Sequence, residues 1–292
     1  MSYWDLFIQS FSNYARYLGQ ALVRPDSHNY VYWLLGISFL VYALELAFPW
    51  RQDQPRIRQD FWLDAFYMFF NFFLFGLIGY VAASDVLVQA FKDFLAQFGI
   101  RNLVAIQVNQ LPTWAQLLTL FVVRDFIHFN VHRLLHRIPF LWNFHKVHHS
   151  VKQMGFAAHL RYHWMENVVY RSLEYIPIAM IGFGIDDFLI VHLTALTIGH
   201  LNHANFRLPM GPLRYLFNSA EMHIWHHVKD LPAEKPYGIN FGISLSLWDY
   251  VFGTNYQPYL GRDLSLGYPG DQEMPTGFLR QLGFGFRRTK SA

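Results

Sequence analysis

The sequence predicts an all-α fold: a multi-pass integral membrane helical bundle carrying a histidine-rich cap at its cytoplasmic face. Three observations point there. The chain is 53% hydrophobic and 19% aromatic but only 15% charged, with a mean hydropathy of +0.14. A soluble domain carries about one-quarter charged residues. Uncharged segments of membrane-helix length recur along the chain. Fourteen of the fifteen histidines lie between His128 and His227.

Residues 1–28 contain Asp5, Arg16, Arg24 and Asp26 and no long apolar run, so they do not read as a secretory signal peptide. Tyr30–Leu44 is uncharged and leads through Glu45 to Pro49-Trp50, enough with its flanks to cross a bilayer core of about 20 helical residues. Ala65–Ser84 is a second uncharged, Phe-rich span. The loop between them holds Arg51, Arg56 and Arg58, and the positive-inside rule assigns it to the cytoplasm. Val86–Phe98 carries Lys92 and Asp93 and is expected to lie in the interface as an amphipathic helix.

Leu111-Pro112 starts a helix whose apolar stretch, Thr113–Val123, runs into Arg124-Asp125 and the first histidines. This is the pattern of a helix emerging from the bilayer. Asn167–Ile185 and Phe188–Leu201 are two shorter apolar segments, with Asp186-Asp187 expected as the turn of a deep hairpin. After His227, prolines and glycines predict loop, ending in a basic tail at Arg287-Arg288-Thr-Lys290. No linker divides the chain. One domain, 1–292, is expected: spans and interfacial helix in 1–110, a histidine-rich region in 111–256, and a C-terminal loop and tail in 257–292.

The histidines are patterned. His132 and His136 form HxxxH. His145, His148 and His149 form HxxHH, and His223, His226 and His227 form it again. Positions i, i+3 and i+4 share a helix face, so each HxxHH is expected to offer three imidazoles to one point. Eight imidazoles exceed the roughly four ligands of one tetrahedral ion. A pair of transition-metal ions held by histidine nitrogen is the economical reading. With no cysteine, disulfides, Cys-ligated zinc and an iron–sulfur cluster on this chain's own thiolates are excluded. A formal charge of +3 does not indicate nucleic acid. GxSxG, HExxH and ExxH are absent, and Gly283-Phe-Gly285 does not extend to GxGxxG. Asp125 lies seven residues before His132 on the same helical face and could hold a ligand imidazole by a hydrogen bond. Asn205, Asn240 and Asp249 are candidates for the same role.

These patterns resemble a family. Asp125-Phe…His132-Arg133-Leu-Leu-His136, Leu141-Trp142-Asn-Phe144-His145-Lys-Val147-His148-His149-Ser150, His203-Ala-Asn205-Phe-Arg-Leu208-Pro209, His223-Ile-Trp-His226-His227 and Trp248-Asp249-Tyr-Val-Phe252-Gly253-Thr254 are similar, in order, to motifs of the fatty acid hydroxylase/sterol desaturase superfamily. The resemblance implies a membrane enzyme with a non-haem pair of iron ions that activates molecular oxygen against a lipid C–H bond. The outcome would be hydroxylation, with desaturation as the alternative. A membrane lipid is the implied substrate. A separate electron donor, such as a ferredoxin, cytochrome or reductase, is the implied partner. His132, His136, His145, His148, His149, His203, His223, His226 and His227 become the implied ligands, with His200, one turn before His203, as a tenth. The family's RxHPxE is here Arg161-Tyr-His163-Trp164-Met-Glu166. The missing proline makes His163 a support for a ligand rather than a ligand. His128, His159 and His192 match no motif and are expected to be structural. Purified protein can carry zinc, which outranks ferrous iron in affinity. Two readings compete: a membrane metal transporter or sensor, and a metallohydrolase using Glu166 or Glu221 as general base.

Overall fold

The structure, a computed structural model, describes residues 2–25, 29–71, 73, 83–100, 108–181 and 185–286. Among them there is no β-strand; three isolated bridges, such as Pro49 to Phe206, are the only extended pairings. The helices are α1 (Tyr3–Val23), α2 (Tyr30–Ala47), α3 (Phe61–Phe69), α4 (Ala83–Ala96), α5 (Thr113–Arg137), α6 (Pro139–His149), α7 (Trp164–Ile181), α8 (Ile185–His203), α9 (Ala220–His226), α10 (Leu247–Val251) and α11 (Phe278–Leu282).

Helix α1 was not expected. Its sequence signal is a capping box: Ser2 Oγ accepts from the Asp5 N–H, and Asp5 accepts from the Ser2 N–H. It pairs with α4, where Tyr3 donates to Asp93 at 2.8 Å and Ser10 to Asp85 at 2.6 Å. Asn29 closes the corner to α2. Its side chain caps Val31 N–H at 3.0 Å and donates to the Ala21 and Arg24 carbonyls.

Helix α2 buries Val31, Leu34, Ser38, Val41 and Glu45, one stripe at spacings of three and four, against α8 and its surroundings. Its other faces expose Trp33, Leu35, Phe39 and Leu40. A soluble helix shows the reverse, with polar groups outward. Among the described residues α2 alone is long and apolar enough to cross a membrane. Half of the expected span Ala65–Ser84 falls outside the described residues; α3 covers its beginning, and its last two residues open α4.

Helix α5 runs 25 residues, about 37 Å at 1.5 Å per residue, continuing unbroken through Arg124-Asp125 and both histidines of HxxxH. It ends at Ile138, whose extended backbone is what a following proline favours, and Pro139 opens α6 at its first turn. That corner turns α6 back beside α5. Helices α7 and α8 both pack on α5. Asp186 and Asp187 are not a turn: both lie within α8. The expected C-terminal loop is a packed strap. Asp271 pairs with Lys152 and Lys229, buried Gln281 accepts from Tyr67 Oη at 2.9 Å, and Gly285 sits so tightly against Phe144 that a side chain there would overlap the ring. The tail from residue 287 lies outside the described residues.

Candidate metal centre

The histidines form two buried clusters rather than one convergence per motif. The first gathers His132, His136, His145, His149 and His226; the second gathers His148, His203, His223 and His227. Each HxxHH is therefore divided. In α6 the i and i+4 residues, His145 and His149, face the first cluster and the i+3 residue, His148, faces the second. In α9 the assignment is reversed: His223 and His227 face the second cluster and His226 the first. At about 100° per residue, i and i+4 lie about 40° apart while i+3 stands about 100° from i+4. Two helices running between two points must split this way, which corrects the expectation of three imidazoles to one point.

Most cluster imidazoles are held from behind through Nδ1. His132 donates to Phe241 O at 2.8 Å, His226 to Ile239 O at 2.8 Å, His148 to Arg161 O at 3.1 Å and His203 to Gly199 O at 2.8 Å. A carbonyl only accepts, so each of these Nδ1 atoms carries the proton and each Nε2 presents a lone pair. The Nε2 atoms nevertheless face one another: His148 and His203 at 3.3 Å, His203 and His223 at 3.0 Å, His223 and His227 at 3.2 Å, His132 and His145 at 3.1 Å. The Nε2 atoms of His136, His149 and His226 are buried with no hydrogen-bond partner. Between His148 and His203, and between His132 and His145, whose Nδ1 atoms are tied to carbonyls or to Glu166, the facing atoms are lone pairs, which repel in a dry interior unless a cation lies between them. Two nitrogens bound at about 2.1 Å to one ion stand roughly 3.0–3.4 Å apart at ordinary coordination angles. The residues therefore fit a pair of transition-metal ions. Imidazole suits iron, zinc, copper and nickel alike.

Burial holds these imidazoles neutral. It pushes His132 down to about 4, and it holds His145, His149 and His226 well below the ordinary histidine value, with neighbouring imidazoles adding to the effect. Glu166 is the support that sequence reasoning misjudged. It lies 2.6 Å from His145 Nδ1 and accepts from the His163 N–H at 3.0 Å. Burial pushes its carboxyl up to about 8, against the hydrogen bond from His163. A cation on His145 Nε2 would favour the carboxylate opposite Nδ1–H. The missed signal was the Arg-x-His-x-x-Glu spacing itself.

The remaining candidates act elsewhere. Asp125 touches no cluster imidazole. It accepts from Ser244 N–H, Leu245 N–H and Trp248 Nε1–H at 2.9–3.2 Å, pinning that loop to α5. Asp249 accepts from Phe241 N–H, Gly242 N–H and Thr254 Oγ1, so it positions the carbonyl that holds His132. Asn240, at φ +52°, ties Met222 O to Tyr256. Asn205 binds the backbone of Arg51 on both sides. His163 donates from Nε2 to Leu282 O at 2.8 Å and accepts at Nδ1 from Met165 N–H. His200, the proposed tenth ligand, lies outside both clusters, between Ser38 Oγ at 3.1 Å and His159 at 2.9 Å. His128 pairs with Glu174, which also holds Arg124, and His192 meets Tyr30 Oη at 2.9 Å.

Comparison with known proteins follows the same residues. The fatty acid hydroxylase family model matches residues 117–254. An ornithine lipid hydroxylase, OlsE, of Rhizobium tropici is 32% identical over 180 residues, 62% of this chain and 53% of the relative. Methylsterol monooxygenase 1 of Rattus norvegicus is 23% identical over 265 residues, 87% of this chain and 82% of the relative. A very-long-chain aldehyde decarbonylase, GL1-10, of Oryza sativa subsp. japonica is 30% identical over 145 residues, 48% of this chain and 46% of the relative. The chain thus spans about half the length of the first and third of these. No solved structure matches it.

Proposed function

Because this chain belongs to the fatty acid hydroxylase/sterol desaturase superfamily, we propose that it is a membrane oxidoreductase that hydroxylates a C–H bond of a fatty acyl, sterol or related lipid. The observation that carries the reading is the pair of buried clusters, in each of which imidazole lone pairs face one another, His132 with His145 and His148 with His203. Two iron ions held there would supply the redox chemistry with molecular oxygen, drawing electrons from a separate donor. His132, His136, His145, His149 and His226 would hold one, and His148, His203, His223 and His227 the other. The chain's own part is to keep those imidazoles neutral, fix their tautomers through backbone carbonyls and Glu166, and exclude water from the reacting lipid.

Helix α2, apolar on its outward faces, supports a membrane setting. Its following loop meets the histidine region directly. Trp50 N–H donates to Asn205 O at 3.0 Å, and Gln54 to Met154 O at 2.8 Å. The basic loop and the centre therefore share one end of α2, and the positive-inside rule assigns that end of a multi-pass protein to the cytoplasm. The hydrolase reading loses support because both candidate bases are engaged: Glu166 with His145 and His163, Glu221 with Arg207. Hydroxylation is preferred over desaturation because two relatives bear hydroxylase or monooxygenase names.

The test is reconstitution of iron-loaded protein in lipid vesicles with a reductant and labelled oxygen. A lipid product that gains one labelled oxygen atom is the expected result. A product that only loses two hydrogens would replace hydroxylation by desaturation. Protein that consumes no oxygen but carries metal across the vesicle would overturn the enzyme reading.

A further inference from the structure

The two clusters are unequal, with five imidazoles in one and four in the other. Four observations bear on the missing donor. His159, like the cluster residues, is tethered through Nδ1, here to His200 Nδ1 at 2.9 Å, and His200 in turn meets Ser38 Oγ at 3.1 Å. The ring of His159 stands 5.1 Å from that of His203, as close as His148 at 5.2 Å and closer than His227 at 5.4 Å. Its Nε2 edge lies over Gly199, one helical turn before His203 and on the face that His203 presents to the second cluster. A Cβ at position 199 would overlap His159 Nε2 and Cε1, so the glycine is what admits the ring.

We propose that His159 is a further ligand of the second metal ion, bringing the two sites to five histidines each, with His200 as the residue that orients it. This rests on the two-metal reading above. As it stands His159 lies outside the group His148, His203, His223 and His227, its Nε2 resting on Gly199 beside His203, and rotation of the ring off that glycine would bring Nε2 to an ion held there. The i, i+4 donor pair seen twice at the first site is replaced on α8 by one histidine from the helix and one from the turn Phe156–Leu160 packed across it. Sequence spacing hides this, because His159 and His203 lie in different elements.

The test is metal retention, measured with the purified full-length protein by competition against a chelator of known affinity. His148→Ala serves as reference for the second site. His159→Ala should weaken one of two bound ions by more than about 100-fold, beyond the 10–100-fold expected when only a supporting hydrogen bond is lost. His200→Ala should fall within that smaller range. In cobalt-loaded His159→Gly protein, added imidazole should bind saturably and restore the wild-type visible absorption. His159→Gln fills the same space without an imidazole and carries the test if the alanine variant does not fold. Unchanged affinity and spectrum in the His159 variants, with one ion lost in His148→Ala, would overturn the proposal and leave the two-metal reading intact. Full metal content in His148→Ala would overturn both.

Discussion

The two histidine clusters are made of the same parts but fastened to different places. The first is fixed within the cap. Phe241 O and Ile239 O hold His132 and His226 from a loop that Asp249 and Asn240 brace, and Glu166 lies against His145. The second is fixed toward α2. His203 leans on its own helix at Gly199, and His148 on Arg161 O at the end of the Phe156–Leu160 turn. That turn and the end of α8 are both held by Glu45 of α2, whose Oε1 accepts from Phe156 N–H and Asn205 N–H at 2.7 Å. A disturbance in α2 should therefore reach the second cluster and spare the first.

The largest effect breaks the division itself. His148→Ala and His226→Ala each remove the i+3 imidazole that a helix sends to the opposite cluster. Each should lower turnover by more than about 1,000-fold, since the metal supplies several kcal/mol of stabilisation, and each should leave the protein in the membrane. His128→Ala, whose imidazole meets Glu174, should stay within a few-fold of wild type, about the worth of one hydrogen bond. Full activity in either cluster variant would mean that the clusters do not act as a pair. Glu166→Gln tests the first cluster alone: metal titration should show about 10–100-fold weaker binding of one ion. Equal weakening of both ions would erase the distinction.

Glu45→Ala is the converse probe. Leaving two backbone N–H groups without their acceptor should cost roughly 2–4 kcal/mol of stability and weaken the second ion more than the first. Thermal unfolding with and without metal separates those effects. A further probe is acidification of metal-free protein. Burial depresses the folded-state value of His132 to about 4, while an unfolded histidine titrates near 6.5. Below about pH 6.5 the unfolded chain takes up protons that the folded chain refuses. Stability therefore falls as pH drops toward 4, by up to about 1.4 kcal/mol per pH unit for such a group. Chelated protein whose melting temperature is flat from pH 7 to 5 would contradict the neutral, dry clusters.

The helical character and the membership of the histidine boxes were legible, because hydrophobic runs and 3.6-residue spacing are local properties. The split of each HxxHH was not. It depends on how α6 and α9 are rotated about their axes, and the Ile138-Pro139 corner and the packing around it set that for α6. Asp125, Asn205, Asn240 and Asp249 were readable as polar residues with work to do, but their partners are backbone groups of distant loops that no spacing reveals. Glu166 was visible only as a possible base, since its contact with His145 joins two helices. Helix α1 was legible in its Ser2–Asp5 box and overlooked for want of an apolar run. The strap after residue 257 looked like solvated loop because its order comes from ion pairs and ring contacts made to the cap.

The crossing of donors between α6 and α9 also has a mechanical consequence. Each of these helices contributes imidazoles to both clusters. Turning either about its axis would tighten its hold on one ion only by loosening its hold on the other. The pair is thus cross-braced, like a strut pinned at two points, and the gap between the ions is gauged by the width of a helix face. Such a frame would fix the spacing of two bound ions, whichever cluster is disturbed from outside it.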